Sequence, residues 1–276
     1  VIRAGVIGSP AKHSLSPIIH KAWLKEAGID GGYRIYDIAA DQFEDTVQAL
    51  RAEGLAGLNV TLPFKERALA LADQASPRAR DAGAANVLVF REGRIEADNT
   101  DGAGLIEAFV ANDFGPVLTA SPVVVLGAGG AARGVVAALA VAGREIRVVN
   151  RTRARADELA ASIGLNVKAY GWADLPRALT GAGALINGTS LGLEGGGPLH
   201  VDLTGLAVSA PVMDMVYKPL RTAFLQAADE RGHPTIDGLD MLIGQARPSF
   251  EAFFGRRPPP AVDVRTLCLD ALERRG

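Results

Sequence analysis

Three short stretches carry residue types whose chemistry depends on their neighbours. The first is Gly127-Ala128-Gly129-Gly130-Ala131, set between the apolar run Pro122 to Leu126 and an alanine-rich stretch that stops at Gly143. In a strand–turn–helix setting the first glycine permits the tight turn and Gly129 lets backbone approach a pyrophosphate. The helix N-terminus then presents unpaired N–H groups to the anion. A second apolar run, Ile146 to Val149, ends in Asn150-Arg151-Thr152, with Arg153 and Arg155 close behind. An NAD site usually places an acid here to bind the ribose 2′-hydroxyl. A guanidinium instead suits a 2′-phosphate, because its planar fork matches the anion's oxygens. The pattern predicts an NADP(H) site, with Arg151 the better candidate and Arg153 decorating the next helix.

The second stretch is Asn59-Val60-Thr61-Leu62-Pro63-Phe64-Lys65. A short strand ends in polar Asn59 and Thr61, and Pro63 is expected to start a helix with Lys65 in its first turn. The helix dipole disfavours a cation there, so the polar company points to a functional lysine. The third stretch, Asp98-Asn99-Thr100-Asp101-Gly102, contains no apolar residue and precedes a helix from Gly104 to Asn112. Thr100 or Asp101 suffices as the cap, which leaves one carboxylate for other work. Ser14 and Ser16 add two hydroxyls in a polar loop after a strand, good anchors for a polyol or carboxylate. Ser16 is also placed to cap a helix ahead of Pro17. Gln245 falls off the apolar face of a helix from Gly238 to Phe254, and a buried glutamine needs partners.

The elements that hold these residues alternate between strand and helix. Six strands follow from the glycine-turn unit. The fourth empties into Gly188-Thr189-Ser190-Leu191-Gly192, and the fifth ends in Asp214-Met215-Val216-Tyr217. This matches a doubly wound sheet of order 3-2-1-4-5-6, whose ligands bind at the carboxyl edge. The predicted class is α/β: a Rossmann-type NADP domain over 102–238 and an α/β substrate domain over 1–101. The helices of 239–276 are expected to return to the first domain, which makes it discontinuous in sequence.

Composition narrows the function classes. The chain has 276 residues, 48% hydrophobic, 22% charged and only 5% aromatic, with a net charge of −2. That is ordinary for a globular protein with an aliphatic core. No basic run suggests nucleic acid, and no apolar stretch reaches the length of a membrane span. No signal peptide is seen ahead of Val1, and a cytoplasmic location is expected. Cys268 is the one cysteine and the four histidines are isolated, so no metal-ligand spacing is present. A small-molecule substrate is expected, and both a monomer and a homodimer stay open.

The chain resembles the shikimate dehydrogenases almost end to end. The likeness is carried by SPAKHSLSPIIH, NVTLPFKE, GAANVL, DNTDG, GAGGAAR, NRT, NGTSLGL, DMVY and DGLDMLIGQA, in the family's order. It departs at Ser9, where Asn or Asp is common, and at Asp240, where Gly is frequent. The resemblance implies NADPH-dependent reduction of 3-dehydroshikimate to shikimate, on the route to chorismate and the aromatic amino acids. It implies a substrate pocket of Ser14, Ser16, Asn59, Thr61, Lys65, Asn86, Asp101, Tyr217 and Gln245. The cofactor would meet Gly127, Ala128, Gly129, Gly130, Ala131, Asn150, Arg151, Thr152, Arg155, Thr189, Met215 and Gly238. Lys65 would be the acid/base and Asp101 its orienting partner. The rival readings are a quinate/shikimate dehydrogenase with broader substrate or NAD use, an aminoshikimate dehydrogenase, and a non-catalytic NADP-binding sensor.

Overall fold

The computed structural model describes residues 1–164 and 166–274. They form two compact units, one of Val1–Asp101 with the chain from Leu242 onward, the other of Gly102–Met241. The return to the first unit therefore falls inside a helix, three residues beyond the expected break.

The first unit runs β1 (Ile2–Gly8), α1 (Ser16–Glu26), β2 (Gly31–Asp37), α2 (Phe43–Ala52), β3 (Gly57–Val60), α3 (Lys65–Leu71), β4 (Gln74–Ala75) and α4 (Pro77–Ala82). It continues with β5 (Val87–Arg91) and β6 (Arg94–Asp98), and α5 (Asp101–Ala111) begins on its last residue. The sheet order is β2-β1-β3-β5-β6-β4. β1 pairs parallel with β2 and β3, while β5 runs antiparallel to both β3 and β6. Side chains alternate between the two faces of a strand. Leu58 and Val60 therefore join Ile7, Phe43, Val47 and Phe64 in one hydrophobic core. On β3 the alternate positions, Gly57 and Asn59, meet Phe253 and Ser249 respectively.

The second unit runs α6 (Val117–Ala120), β7 (Val123–Leu126), α7 (Gly130–Ala140), β8 (Ile146–Asn150), α8 (Arg153–Ile163), β9 (Val167–Gly171) and α9 (Leu175–Leu179). It ends with β10 (Ala184–Asn187), β11 (Val212–Asp214), α10 (Ala223–Glu230), β12 (Thr235–Ile236) and the start of α11 (Gly238–Phe254); α12 (Val264–Glu273) closes the chain. The sheet is wholly parallel, in the order β12-β11-β10-β7-β8-β9. That is the 3-2-1-4-5-6 order of a Rossmann fold. Val123 and Val125 of β7 enter one core and Val124 and Leu126 the other. Helices thus cover both faces, which is why these strands are apolar without alternation.

An aromatic cluster lies over the first sheet. The His20 ring stacks on Tyr33 at 4.1 Å and 5°, with Trp23 edge-on and Phe250 also stacked. His20 is fully buried, and neither ring nitrogen has a hydrogen-bond partner among the described residues. Burial pushes its imidazole down from 6.5 to about 3. The unfolded chain therefore takes up a proton that the folded chain refuses. This contribution is complete above pH 6.5 and is lost as pH falls toward 3. It removes about 2 kcal/mol of stability between about pH 7 and pH 5. His20→Phe should lose correspondingly less in urea melts over that range; equal losses in both proteins would refute the assignment.

Cys268 is buried on α12, where burial pushes its thiol up to about 11, as expected of a small core residue.

Candidate active site

In the first unit, pairing geometry gathers the polar stretches at one end of the sheet. Ile7 of β1 lies opposite Val60 of β3, so the loops after both strands leave from the same carboxyl edge. A Cβ placed on Gly8 would stand 2.3 Å from the Thr61 methyl. β5 runs the other way, so its start lies beside the end of β3, and Val60 N–H donates to the Asn86 carbonyl at 2.8 Å. The end of β6 returns to the same place, where Asn86 N–H donates to the Asp98 carbonyl. Three separate chain segments thus deliver Asn59 and Thr61, Asn86, and Asn99-Thr100-Asp101.

The side chains there form one network. Lys65 Nζ donates to Asp101 Oδ2 at 2.7 Å, with both side chains nearly buried at 12% and 6% exposure. Asn86 Nδ2 lies 3.0 Å from Asp101 Oδ1, 3.0 Å from Thr100 Oγ1 and 3.2 Å from Gln245 Oε1. Its Oδ1 accepts the Thr100 N–H at 2.8 Å. Gln245, predicted to need partners, finds them here and in the Leu242 carbonyl. Buried ion pairs about break even on stability. The value of this one is that it fixes an ammonium in space. Asp98 is committed elsewhere: burial alone would raise its carboxyl, but bonds from Arg78 and Ser76 hold it below the usual range. Asp101 is therefore the carboxylate left for other work.

In the second unit the carboxyl edge gathers the other set. Gly127 has φ +103°, a conformation L side chains avoid, and a Cβ there would meet Thr189 Cγ2 at 3.0 Å. Its N–H donates to Val149 on β8, while Gly188 N–H donates to Leu126, so the turn sits where the chain order reverses. Gly129 is the N-cap of α7, and a Cβ on it would meet nothing within 4 Å, which leaves its approach open. A pyrophosphate fits such a turn, because the first N–H groups of α7 have no partner within the helix. Asn150 Nδ2 donates to the Thr152 carbonyl, fixing the end of β8. Arg153 is tied to Asp157 and Asp174, whereas exposed Arg151 and Arg155 meet no carboxylate among the described residues. Thr189 bonds to Asn187 Oδ1, and Asn187 in turn to Asp214. Burial pushes the Asp214 carboxyl up, against bonds from Thr222, Val216 N–H and Asn187. Gly238 packs against the Met215 and Val216 carbonyls, too close for a side chain. Tyr217, expected to touch substrate, belongs to this unit and is half-buried.

One unit thus carries a dinucleotide-type turn and the other a buried ammonium–carboxylate pair. Three family models match the chain in succession. They are the shikimate dehydrogenase substrate binding domain over 6–88, shikimate / quinate 5-dehydrogenase over 109–192, and the shikimate 5′-dehydrogenase C-terminal domain over 238–268. A shikimate dehydrogenase (NADP(+)) of Caulobacter vibrioides is 56% identical over 273 residues, 98% of this chain and 96% of its own length. The chain belongs to the shikimate dehydrogenase family. A second relative, the shikimate dehydrogenase (NADP(+)) of Paracoccus denitrificans, is 47% identical and covers 96% of this chain and 95% of its own. The crystal structure of shikimate 5-dehydrogenase from Thermus thermophilus in complex with NADP(H) and shikimate has a TM-score of 0.84. It is 36% identical and covers 99% of both chains.

Several local details of this family member differ from the sequence expectation. Ser16 makes no capping bond; α1 begins on it and Leu15, fully buried, stands at the cap. Ser14 takes over that role, its Oγ accepting the Ser16 N–H at 3.2 Å. Burying Leu15 shifts the cap position by one residue. Pro63 lies in a turn, and α3 begins on Lys65 after Phe64, whose ring stacks on Phe43. Neither Thr100 nor Asp101 needs to cap α5, because Asn99 Oδ1 accepts the Asp101 N–H. Asp240 accepts from Asn112 Nδ2 at 2.9 Å. Thr100, named in the sequence only as a cap, joins the network, and so do Tyr33 and Ser249, which the sequence did not single out. For Ser249 the available signal was its place one turn after Gln245 on the same helix face.

Among the described residues no cluster of His, Cys, Asp or Glu could hold a metal ion, and no helix is long and apolar enough to cross a membrane.

Proposed function

We infer that the chain catalyses the reversible NADPH-dependent reduction of 3-dehydroshikimate to shikimate. The observation that carries this reading is the buried Lys65–Asp101 pair, since a pair of that kind adds little net stability and so calls for another purpose. Reducing a ketone requires a hydride at carbon and a proton at oxygen. Bound NADPH supplies the hydride. Lys65 Nζ holds the proton, delivers it to the oxygen as charge develops there, and recovers one from solvent afterwards. Asp101 aims the ammonium. In the oxidative direction Lys65 takes the hydroxyl proton.

The remaining residues bind and orient. The hydroxyls of Ser14, Ser16 and Thr61 suit the carboxylate, and Asn86, Tyr217 and Gln245 suit the ring hydroxyls. Gly127 to Ala131 receive the pyrophosphate, and Arg151 with Arg155 receives the 2′-phosphate. Asn150, Thr152, Thr189, Met215 and Gly238 shape the rest of the cofactor bed. A cytoplasmic enzyme acting as a monomer or homodimer goes with this reading.

One of the matched family models spans shikimate and quinate enzymes, so the discriminating experiment crosses both substrates with both cofactors. NADPH formation from shikimate should exceed every other combination by at least about tenfold in kcat/KM, the worth of one good polar contact. Equal or better rates with quinate or with NAD would replace this reading by the broader one.

A further inference from the structure

Asn59 is 5% exposed, and its amide is engaged at both ends. Its Oδ1 accepts the Tyr33 hydroxyl at 2.7 Å. Its Nδ2 donates to Ser249 Oγ at 2.9 Å and to the Asn86 carbonyl at 3.3 Å. Ser249 in turn donates to the Gln245 carbonyl at 3.0 Å. An amide has two N–H donors, and both are committed within the protein. The Asn86 carbonyl can only accept, so it fixes Nδ2 on its side and leaves Oδ1 facing the Tyr33 hydroxyl. Tyr33 is itself held flat against the His20 ring at 4.1 Å.

We propose that Asn59 is a positioning residue rather than a substrate ligand, and that Tyr33 and Ser249 are the residues that set it. The path is short. Asn59 and Val60 N–H together fix the Asn86 carbonyl, Asn86 Nδ2 reaches Asp101, and Asp101 aims Lys65. Ser249 gives the same amide a second anchor on the helix that carries Gln245. A reacting group misplaced by about 1 Å loses on the order of a hundredfold in rate. A partial loosening three links away should cost about tenfold. The inference rests on Lys65 acting as the acid/base.

The test uses Tyr33→Phe, Ser249→Ala and the triple variant Tyr33→Phe/Asn59→Leu/Ser249→Ala, each corrected for its folded fraction. Both single variants should lower kcat about tenfold, leaving the KM for NADP within about twofold. Replacing both partners of a buried hydrogen bond by apolar groups of similar shape restores stability. In the triple variant the Asn86 carbonyl keeps Val60 N–H and the Gln245 carbonyl keeps Thr100 Oγ1, so this variant should regain the Tm lost by the single variants while kcat stays low. A purely structural role predicts that kcat returns with Tm. That result, or wild-type kcat in the single variants, overturns the proposal, and Ser249→Ala decides the matter should Tyr33→Phe fail to fold. Failure here leaves Lys65→Ala inactive, whereas failure of the underlying reading leaves Lys65→Ala active.

Discussion

Lys65→Ala should turn over shikimate between about 10² and 10⁴ times more slowly than the unaltered enzyme, the range general acid–base groups contribute. Shikimate affinity should change far less, because the ammonium does its work as charge develops on the oxygen and not in the ground state. The variant will also lose stability. Removing one partner of a buried pair leaves Asp101 uncompensated, and such losses reach about 3–5 kcal/mol. Asn86 Nδ2, 3.0 Å from Asp101 Oδ1, softens that loss. Turnover must therefore be expressed per folded molecule, with affinity taken from equilibrium binding. A Lys65→Ala enzyme with unchanged kcat would remove the lysine from the mechanism.

Arg151→Ser should raise the KM for NADP about 10- to 100-fold, since one charge-assisted bond to phosphate is worth about 1.5–3 kcal/mol. NAD carries no 2′-phosphate, so its kcat/KM should stay within about twofold. The direction follows from Arg151 being exposed at the end of β8 with no carboxylate on it among the described residues, while Arg153 is held by Asp157 and Asp174. The matched substitution Arg153→Ser should leave the KM for NADP unchanged. Equal losses with both dinucleotides in Arg151→Ser would mean that the residue supports the loop and not the phosphate.

Much of this fold was legible because its signals are local. An apolar run, a glycine turn and an alanine-rich helix follow one another directly in the chain, and the six-strand order follows from handedness and connection rules. Helix starts were less legible. Ser16 satisfies every rule for an N-cap, yet burial of Leu15 outweighs a hydrogen bond worth about 1 kcal/mol. Pro63 suits a first helical position, but α3 waits for Lys65 after the buried Phe64 ring. Least legible was the polar network. Asn59 and Ser249 are separated by 190 positions, and nothing in either neighbourhood announces the other. Tyr33 and His20 read as ordinary strand and helix residues until the sheet sets them face to face.

The most direct measurement is the position of the Lys65 ammonium in a crystal of the enzyme with shikimate and NADP(+). We expect Nζ at hydrogen-bond distance, about 3 Å, from the hydroxyl oxygen on the carbon that gives up hydride, with Asp101 still against it. Shikimate seated elsewhere, with Lys65 turned to solvent and a different acid or base on that oxygen, would contradict the assignment on which the mechanism stands.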